Sequence, residues 1–368
     1  MKIFQIHNRY KYYGGEDAVL HEEAELLKSN NHEVIQIIRE NNIELDGLFK
    51  KISAFKNLSY SKESIDILRK QIKIHGKPKI AHIHNIFPLW TYSIFDYLKK
   101  ENIPIVFSLH NYRTIAHNFS IFDKQINNYG LFKNSKLLTK IIFKKFNKKK
   151  NLLNNVDRFI THTSFTKDIF VKNGINDDKL RIKPNFTNKS SNKILSIKDK
   201  NNALYASRLS KEKGIITLLK ALEKIDLDVD IIGGGPLKKK VINNKSNIKY
   251  HGELSRDEVL EFIKKSKFLI YPSEWFEIFG MAIIEAFNHG TLVLASKIGS
   301  IKNIIQDKVT GILFEPGNVN DLVNKINWIR NNPNKCDQII KNAKKEFNNN
   351  YSSKKNYMQL LKIYNEII

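Results

Sequence analysis

Glu277 and Glu285 stand at either side of a mostly apolar run, "WFEIFGMAIIEAFNHG" (275–290). Apolar surroundings penalise a carboxylate unless something pairs with it. The run follows an apolar strand, "FLIYPS" (268–273), and "GMAIIEAFNHG" has helical spacing with Gly290 placed as a C-cap. Glu277 therefore lies in the loop ahead of a helix N-terminus, and Glu285 lies in the second turn. First-turn amides around Phe279, Gly280 and Met281 form a site for an anion or a hydroxyl. Carboxylates with no cation nearby suit sugar hydroxyls, which donate charge-assisted hydrogen bonds. A plainer arrangement fits as well, with Glu277 capping the helix and Glu285 solvated.

Four other stretches carry residues that could do chemistry. "ASRLSKEKGIITLLKAL" (206–222) places Arg208, Lys211 and Lys213 between a strand and a helix opened by Gly214. A guanidinium fork and an ammonium beside a helix N-terminus would clamp a diphosphate; solvated loop charges are the simpler alternative. Gly14 and Gly15, between the first strand and first helix, let backbone approach a ligand closely, although the segment is not GxGxxG. "FSLHNYR" (107–113) ends an apolar strand in His110, Asn111 and Arg113, a better place for a functional histidine than a core position. "DIIGGGPLKKK" (230–240) is a strand, a glycine loop containing Gly234, and a helix, and could approach a nucleotide.

Metal motifs fare poorly. The aspartates of "DVD" (228–230) flank the start of a strand rather than its carboxyl end, so they are set aside as an Asp-x-Asp site. No His/Cys spacing suits a metal and no GxxxxGK[ST] loop is present.

The elements that must position these residues alternate short apolar strands with amphipathic helices, which argues for α/β layers over parallel sheets. Strands are predicted at 2–7, 33–38, 80–84, 103–110 and 158–163. A second series follows at 203–207, 229–234, 248–252, 268–273, 292–296 and 311–314. Helices are predicted at 16–30, near 90–100, at 215–224, near 236–243, at 255–265, from about Gly280, and through the tail. A polar linker, 186–202, separates two Rossmann-like series with a cleft where they face, and ligands in such folds bind at strand carboxyl ends.

Composition sets the limits. At 368 residues, 41% hydrophobic and with 22 Phe, the chain has material for two cores rather than for disorder. Its single cysteine, Cys336, cannot form an intramolecular disulfide and suits a reducing compartment. "MKIFQIHNRY" lacks the apolar core of a signal peptide, and no segment nears the ~18 apolar residues that span a bilayer. A cytoplasmic protein is expected, docked peripherally on the inner face of the membrane. The formal net charge of +25 attracts polyanions, whether anionic lipid, phosphorylated substrate or nucleic acid. A chain rich in Lys, Asn and Ile throughout also fits a compositional bias. "LFKNSKLLTKIIFKKFNKKK" (131–150) reads as a basic amphipathic helix, with Leu138, Ile142 and Phe146 on one face and Lys133, Lys136, Lys140 and Lys144 near another. That pattern suits anionic lipid and an ordinary domain helix equally. No nucleic-acid motif is present, and no nucleic-acid partner is expected.

In this order the pieces resemble the retaining glycosyltransferases of family 4, which have the GT-B fold, over nearly the whole chain. The most specific match is Glu277-x7-Glu285 within "PSEWFEIFGMAIIEAFNHGTLVLAS", continuing to "TGILFEPGNVNDL" (310–322). The Arg208/Lys213 loop, "GGGP", "IKPNF" (182–186) and "SLHNYR" fall where that family has them. The Gly-Gly-Glu-Asp start and "HNIFPLW" (84–90) are similar to a bacterial surface-polysaccharide subgroup. "TIAHN" (114–118) departs from the Leu-Ile-Cys-Pro of close relatives and touches the acceptor side.

The resemblance implies an N-terminal acceptor-binding domain at 1–188, joined by the returning C-terminal helix 352–368, and a nucleotide-sugar-binding domain at 189–351. It implies that Glu277 binds the donor sugar's hydroxyls, that Glu285 binds the ribose, and that the Phe279 and Gly280 amides face the donor. Gly14, Gly15 and Gly234 would approach the donor too. Arg208 and Lys213 would neutralise the leaving diphosphate, His110 would stabilise the sugar, and Asn111 and Arg113 would lie on the acceptor side. No cofactor and no divalent metal is expected. The implied reaction moves a sugar, with retention, from a UDP- or GDP-sugar to a lipid-linked glycan. A GT-B epimerase or phosphorylase, or an idle polyanion- or membrane-binding protein, are the alternatives.

Overall fold

Runs of β-branched and aromatic residues bounded by Gly, Pro and Asn become parallel strands here, because amphipathic helices cover both of their faces. The structure, a computed structural model, describes residues 1–10, 14–46, 48–115, 136–188, 194–244 and 247–368. The chain divides into two units, Met1–His162 with Thr166–Lys183 and Asn356–Ile368, and Thr163–Phe165 with Pro184–Lys355. Besides the brief excursion at Thr163–Phe165, the crossings fall at Lys183/Pro184 and Lys355/Asn356, a few residues from the expected 188/189 and 351/352.

The first unit holds β1 (Lys2–Arg9), β2 (Glu33–Glu40), β3 (Ile80–Ile83), β4 (Ile105–Ser108), β5 (Arg158–Thr161) and β6 (Leu180–Ile182). They form one parallel sheet in the order β2-β1-β3-β4-β5-β6. Helices Leu48–Asn57, Lys62–His75 and Ser164–Lys172, and strand β6, were not predicted. The last helix, Ser353–Asn365, sets Leu360, Ile363 and Tyr364 into a core with Ile3, Leu27, Ile80, Val106 and Ile160. That apolar stripe ties the C-terminus to the first sheet, as predicted for the tail.

The second unit holds β7 (Ala203–Ala206), β8 (Val229–Ile232), β9 (Ile248–Gly252), β10 (Phe268–Tyr271), β11 (Leu292–Ser296) and β12 (Ile312–Phe314). Their order is β12-β11-β10-β7-β8-β9, again parallel. Sequence order runs outward from β7 in one direction and from β10 in the other. The switch point therefore lies between the carboxyl ends of β7 and β10, where ligands of open α/β sheets bind.

The predicted basic helix is seen as Lys136–Phe146, and residues 131–135, including Lys133, lie outside the described residues, as do the Leu138, Lys136 and Lys140 side chains. Ile142, Phe143 and Phe146 are buried, with Phe87 stacked on Phe143 at 5.5 Å and Tyr92 tilted against Phe146 at 4.8 Å. For Ile142 and Phe146, then, the apolar stripe is a core face rather than a lipid face. No helix among the described residues is long and apolar enough to cross a membrane.

Candidate functional site

At the switch point two loops meet because one residue has no side chain. Gly214 has φ of +71°, and a Cβ there would lie 1.7 Å from the Pro272 carbonyl oxygen. Only glycine lets the β7 loop pass so close beneath the end of β10. That approach places Lys213 Nζ 2.6 Å from Glu277 Oε1, and Ser273 Oγ donates to the same oxygen at 2.7 Å. Tyr205, buried on β7, braces the loop from below by donating to the Arg208 carbonyl at 3.0 Å and facing that of Lys213 at 3.3 Å. Burial raises the pKa of its hydroxyl and so keeps it a donor.

Glu277 is only 8% exposed, which makes its pairing with Lys213 a matter of stability as well as of chemistry. The expectation of carboxylates without nearby cations fails for both glutamates. Glu285, equally buried, accepts from Arg256 Nη2 at 2.8 Å. Arg256 was missed. It opens helix Arg256–Lys265, which is capped by the Ser255/Glu258 box, and a cation at a helix N-terminus opposes the helix dipole. That misfit is the sequence signal for an acidic partner. Nor is Glu277 the helix cap: Gly280 holds the N-cap position of Met281–Asn288, with Phe279 buried beside Tyr351.

Arg208 is not aimed into an open loop; it ion-pairs with Glu212, while half of its side chain stays exposed (51%). Ser210 Oγ donates to Glu212 at 2.6 Å and fixes the acceptor. The glycine loop after β8 packs on this same segment. A Cβ at Gly233 would meet the Ser207 carbonyl at 2.1 Å, one at Gly235 the Leu209 carbonyl at 2.6 Å, and one at Gly234 the Glu253 carboxylate at 1.7 Å. The glycine run thus supports the Arg208 loop by backbone contact. Asp230 accepts from Asn202 at 3.2 Å and pairs with His251 at 2.6 Å, as befits an aspartate within a strand rather than a metal motif.

The remaining predicted residues belong to the first unit. Gly14 caps the first helix, Gly15–Ser29, and its N–H donates to Asp17 Oδ2 at 2.9 Å. Asp17 Oδ1 lies 3.0 Å from His7 Nε2, both side chains buried. Asn111 reaches Glu16 at 3.4 Å, and Arg113 hydrogen-bonds the Tyr10 hydroxyl and stacks on its ring at 4.5 Å. Residues 116–118 of "TIAHN" are outside the described residues.

His110 is embedded in a cluster that spacing does not reveal. His84 Nδ1 lies 3.0 Å from His110 Nε2, His162 Nε2 lies 3.2 Å from His110 Nδ1, and His162 Nδ1 lies 2.9 Å from the Lys183 carbonyl. Beneath them Glu23 faces His82 at 2.9 Å, His84 at 3.3 Å and the buried Lys183 ammonium at 3.1 Å. The carboxyl ends of β3, β4, β5 and β6, adjacent only through the sheet order, and the first helix, which carries Glu23, bring these groups together. Glu23, His82 and His84 are close enough to hold a metal ion, contrary to the expectation from spacing alone. The donor set fits one poorly. The Lys183 ammonium already neutralises the carboxylate, and His82 is engaged with Ser108 and Tyr364 at 2.8 Å each.

Burial would raise the pKa of Glu23, but Lys183 and His82 outweigh it and hold the carboxyl well below its usual range. Burial pushes His84 down to about 3 and His162 to about 4, and lowers His110 well below 6.5, where His162 and His84 add to the effect. An unfolded chain protonates these imidazoles below about pH 6.5, whereas in the folded unit His162 takes its proton only near pH 4, His84 near pH 3 and His110 well below pH 6.5. Stability is therefore expected to fall as pH drops from 6.5 toward 4, by up to roughly 4 kcal/mol per pH unit if all three histidines act. Urea unfolding of the first unit across that range checks it; a flat profile between pH 6.5 and 4.5 contradicts the buried neutral cluster.

Two family models match in tandem: Glycosyltransferase Family 4 over residues 13–190 and Glycosyl transferases group 1 over 186–346. An uncharacterized glycosyltransferase of Methanocaldococcus jannaschii is 29% identical over 86% of this chain and 83% of its own. The O-antigen chain mannosyltransferase C of Escherichia coli is 29% identical over 37% of this chain and 38% of its own. The Salmonella typhimurium lipopolysaccharide 1,2-N-acetylglucosaminetransferase is 32% identical over 34% and 38%. Among solved structures, sucrose-phosphate synthase from Thermosynechococcus elongatus has a TM-score of 0.73 at 16% identity, covering 100% of this chain and 99% of that one. Anabaena Alr3699/HepE in complex with UDP has a TM-score of 0.69 at 16% identity, with 100% of both chains covered.

Proposed function

The chain belongs to glycosyltransferase family 4 and has the GT-B fold, and we propose that it moves a sugar from a nucleotide-sugar, with retention and without a divalent metal, to a lipid-linked glycan of a cell-surface polysaccharide. The observation that carries this reading is the Lys213–Glu277 pair at the β7/β10 switch point, ahead of a helix N-terminus. A carboxylate there takes sugar hydroxyls. The ammonium carries three donors and commits one to Glu277, while Arg208 adds a guanidinium from the same loop. Two cations on the loop beside the leaving diphosphate stabilise the charge that develops as the glycosidic oxygen departs, the service a metal would otherwise provide.

Glu285 and its partner Arg256 take the ribose side, and the first-turn amides at Phe279 and Gly280 face the donor. Gly14 and Gly15 open the first helix where backbone nears the donor, and Asn111 and Arg113 serve the acceptor. The departing phosphate takes the acceptor proton, so no side-chain base is assigned. Solved neighbours carry UDP and UDP-glucose, and two relatives are transferases of O-antigen and lipopolysaccharide; both facts support the donor class and the acceptor class. The acceptor's lipid anchor places the protein on the inner face of the membrane.

A thermal-shift panel of UDP, GDP, ADP and their sugars, all with EDTA, tests the reading. At a hundredfold excess over Kd, one nucleotide is expected to stabilise by about 2.7 kcal/mol, a rise of roughly 5–10 °C. No shift with any of them, or a shift that EDTA removes, overturns the donor site or its metal independence respectively. Turnover with inorganic phosphate, or without an acceptor, would identify a phosphorylase or an epimerase instead.

A further inference from the structure

Counting protons along the buried histidines gives a definite answer. The chain runs from the Glu23 carboxylate through His84, His110 and His162 to the Lys183 carbonyl, so it has four contacts. Both ends can only accept: an ionised carboxylate and a backbone carbonyl carry no hydrogen. Four contacts between accepting ends need four N–H groups, and three neutral imidazoles supply three.

One contact must therefore go unmade, and the geometry says which. Three of the four are within hydrogen-bond range and alignment, at 3.0, 3.2 and 2.9 Å. The fourth, from His84 Nε2 to Glu23, is 3.3 Å long and lacks that alignment, so this buried nitrogen has no hydrogen-bond partner. We infer that His84 and His162 are positioning residues that lock His110 as the Nδ1–H tautomer, in a chain one proton short at its Glu23 end. His162 Nδ1–H donates to the Lys183 carbonyl, which makes His162 Nε2 an acceptor. His110 Nδ1–H fills it, His110 Nε2 then accepts from His84 Nδ1–H, and His84 Nε2 is left bare.

The surroundings are consistent with this polarity. Glu23 is already served by Lys183 on β6's far end, His82 on β3 and Gln5 on β1, so it does not require His84 as a donor. His82, His7 (paired with Asp17) and Lys183 are the other charged or titratable groups that act on the three rings, and all three oppose a further positive charge. The lock rests on the place that the family resemblance gives His110 beside the donor sugar, and deepens it. Both ring nitrogens are committed within the protein, so His110 meets the sugar as a fixed, neutral ring and not as a base.

Histidine-selective 15N labelling of the whole protein and two-bond 1H–15N correlation at pH 7.5 read the tautomers directly, with His84→Gln, His110→Gln and His162→Gln for assignment. His84, His110 and His162 are each expected as Nδ1–H with an unprotonated Nε2. Nε2–H signals at these sites, or averaged tautomers for His110, overturn the lock whatever the enzyme's activity. With an active donor–acceptor pair, His162→Ala is expected to lower kcat about tenfold or more with donor KM nearly unchanged, and His162→Gln to restore most of it. If His162→Ala leaves both kcat and the His110 signals unchanged, His162 positions nothing. The spectrum of the wild type stands even if the activity reading fails or a variant does not fold.

Discussion

Replacing Glu277 with alanine is expected to lower kcat/KM by about 10²–10³-fold, the loss of one charge-aligned contact in a dry site. The thermal midpoint should move by only a few degrees. The carboxylate oxygen Oε1 is held by Lys213 and Ser273, so it enters the reaction already oriented. On the proposed function, removing it takes away the acceptor for a sugar hydroxyl and also releases the Lys213 ammonium from its fixed place. Lys213→Ala should fall by a similar factor for the complementary reason. Because the two groups act as one unit, the double variant should be little worse than either single change. Steady-state rates of the four proteins decide it: Glu277→Ala within threefold of wild type, or fully multiplicative losses, would remove the pair from the mechanism. Glu277→Gln keeps the shape and loses the charge, so a loss close to that of alanine identifies charge as the operative property.

How this site could be read from sequence, and where that reading stopped, follows from contact range. Glu277, Phe279, Gly280 and Glu285 lie within one strand–loop–helix, where local spacing suffices to place them. The Arg208–Lys213 loop was recognisable as a strand end with cations, but its partner in Glu277 depends on β7 lying beside β10, which no local pattern states. Arg256 sits on the helix before β10, and its approach to Glu285 is likewise a product of sheet order. The histidine cluster was the least visible. Gln5, His7 and His82 occupy strand positions that look solvent-facing by alternation, yet both faces of the first sheet are covered and all three are buried. Their polarity is explained only when Glu23, Lys183 and the neighbouring strand ends are placed around them. The basic stretch 131–150 misled in the opposite sense, since an amphipathic stripe has the same spacing whether it faces lipid or, as at Ile142 and Phe146, a protein core.

Lys183→Met should be the most destabilising single change in the first unit, at about 3–5 kcal/mol. The lysine is 1% exposed, and its ammonium bonds Glu23 Oε2 and Asn356 Oδ1 at 3.1 Å each. Methionine matches the stem in length and shape, so the cost comes from Glu23, which is left charged in a dry place with its main counter-ion gone. Two consequences separate this account from simple loss of packing. Adding Glu23→Gln to Lys183→Met should recover most of the lost stability, because no buried charge then lacks a partner. The pH dependence should also change sign. In the wild type Glu23 titrates below 4.5, so its contribution is present above that pH and is lost as the solution becomes more acidic. Without Lys183, burial lifts the carboxyl above the unfolded value, so acidification toward pH 5 relieves the variant while the Glu23 contribution of the wild type stays in place over that range. The gap between the two urea midpoints should therefore narrow as pH falls from 7 to 5. A gap that stays constant, or a double variant weaker than Lys183→Met alone, would mean that Lys183 serves the fold through its stem and not through its charge.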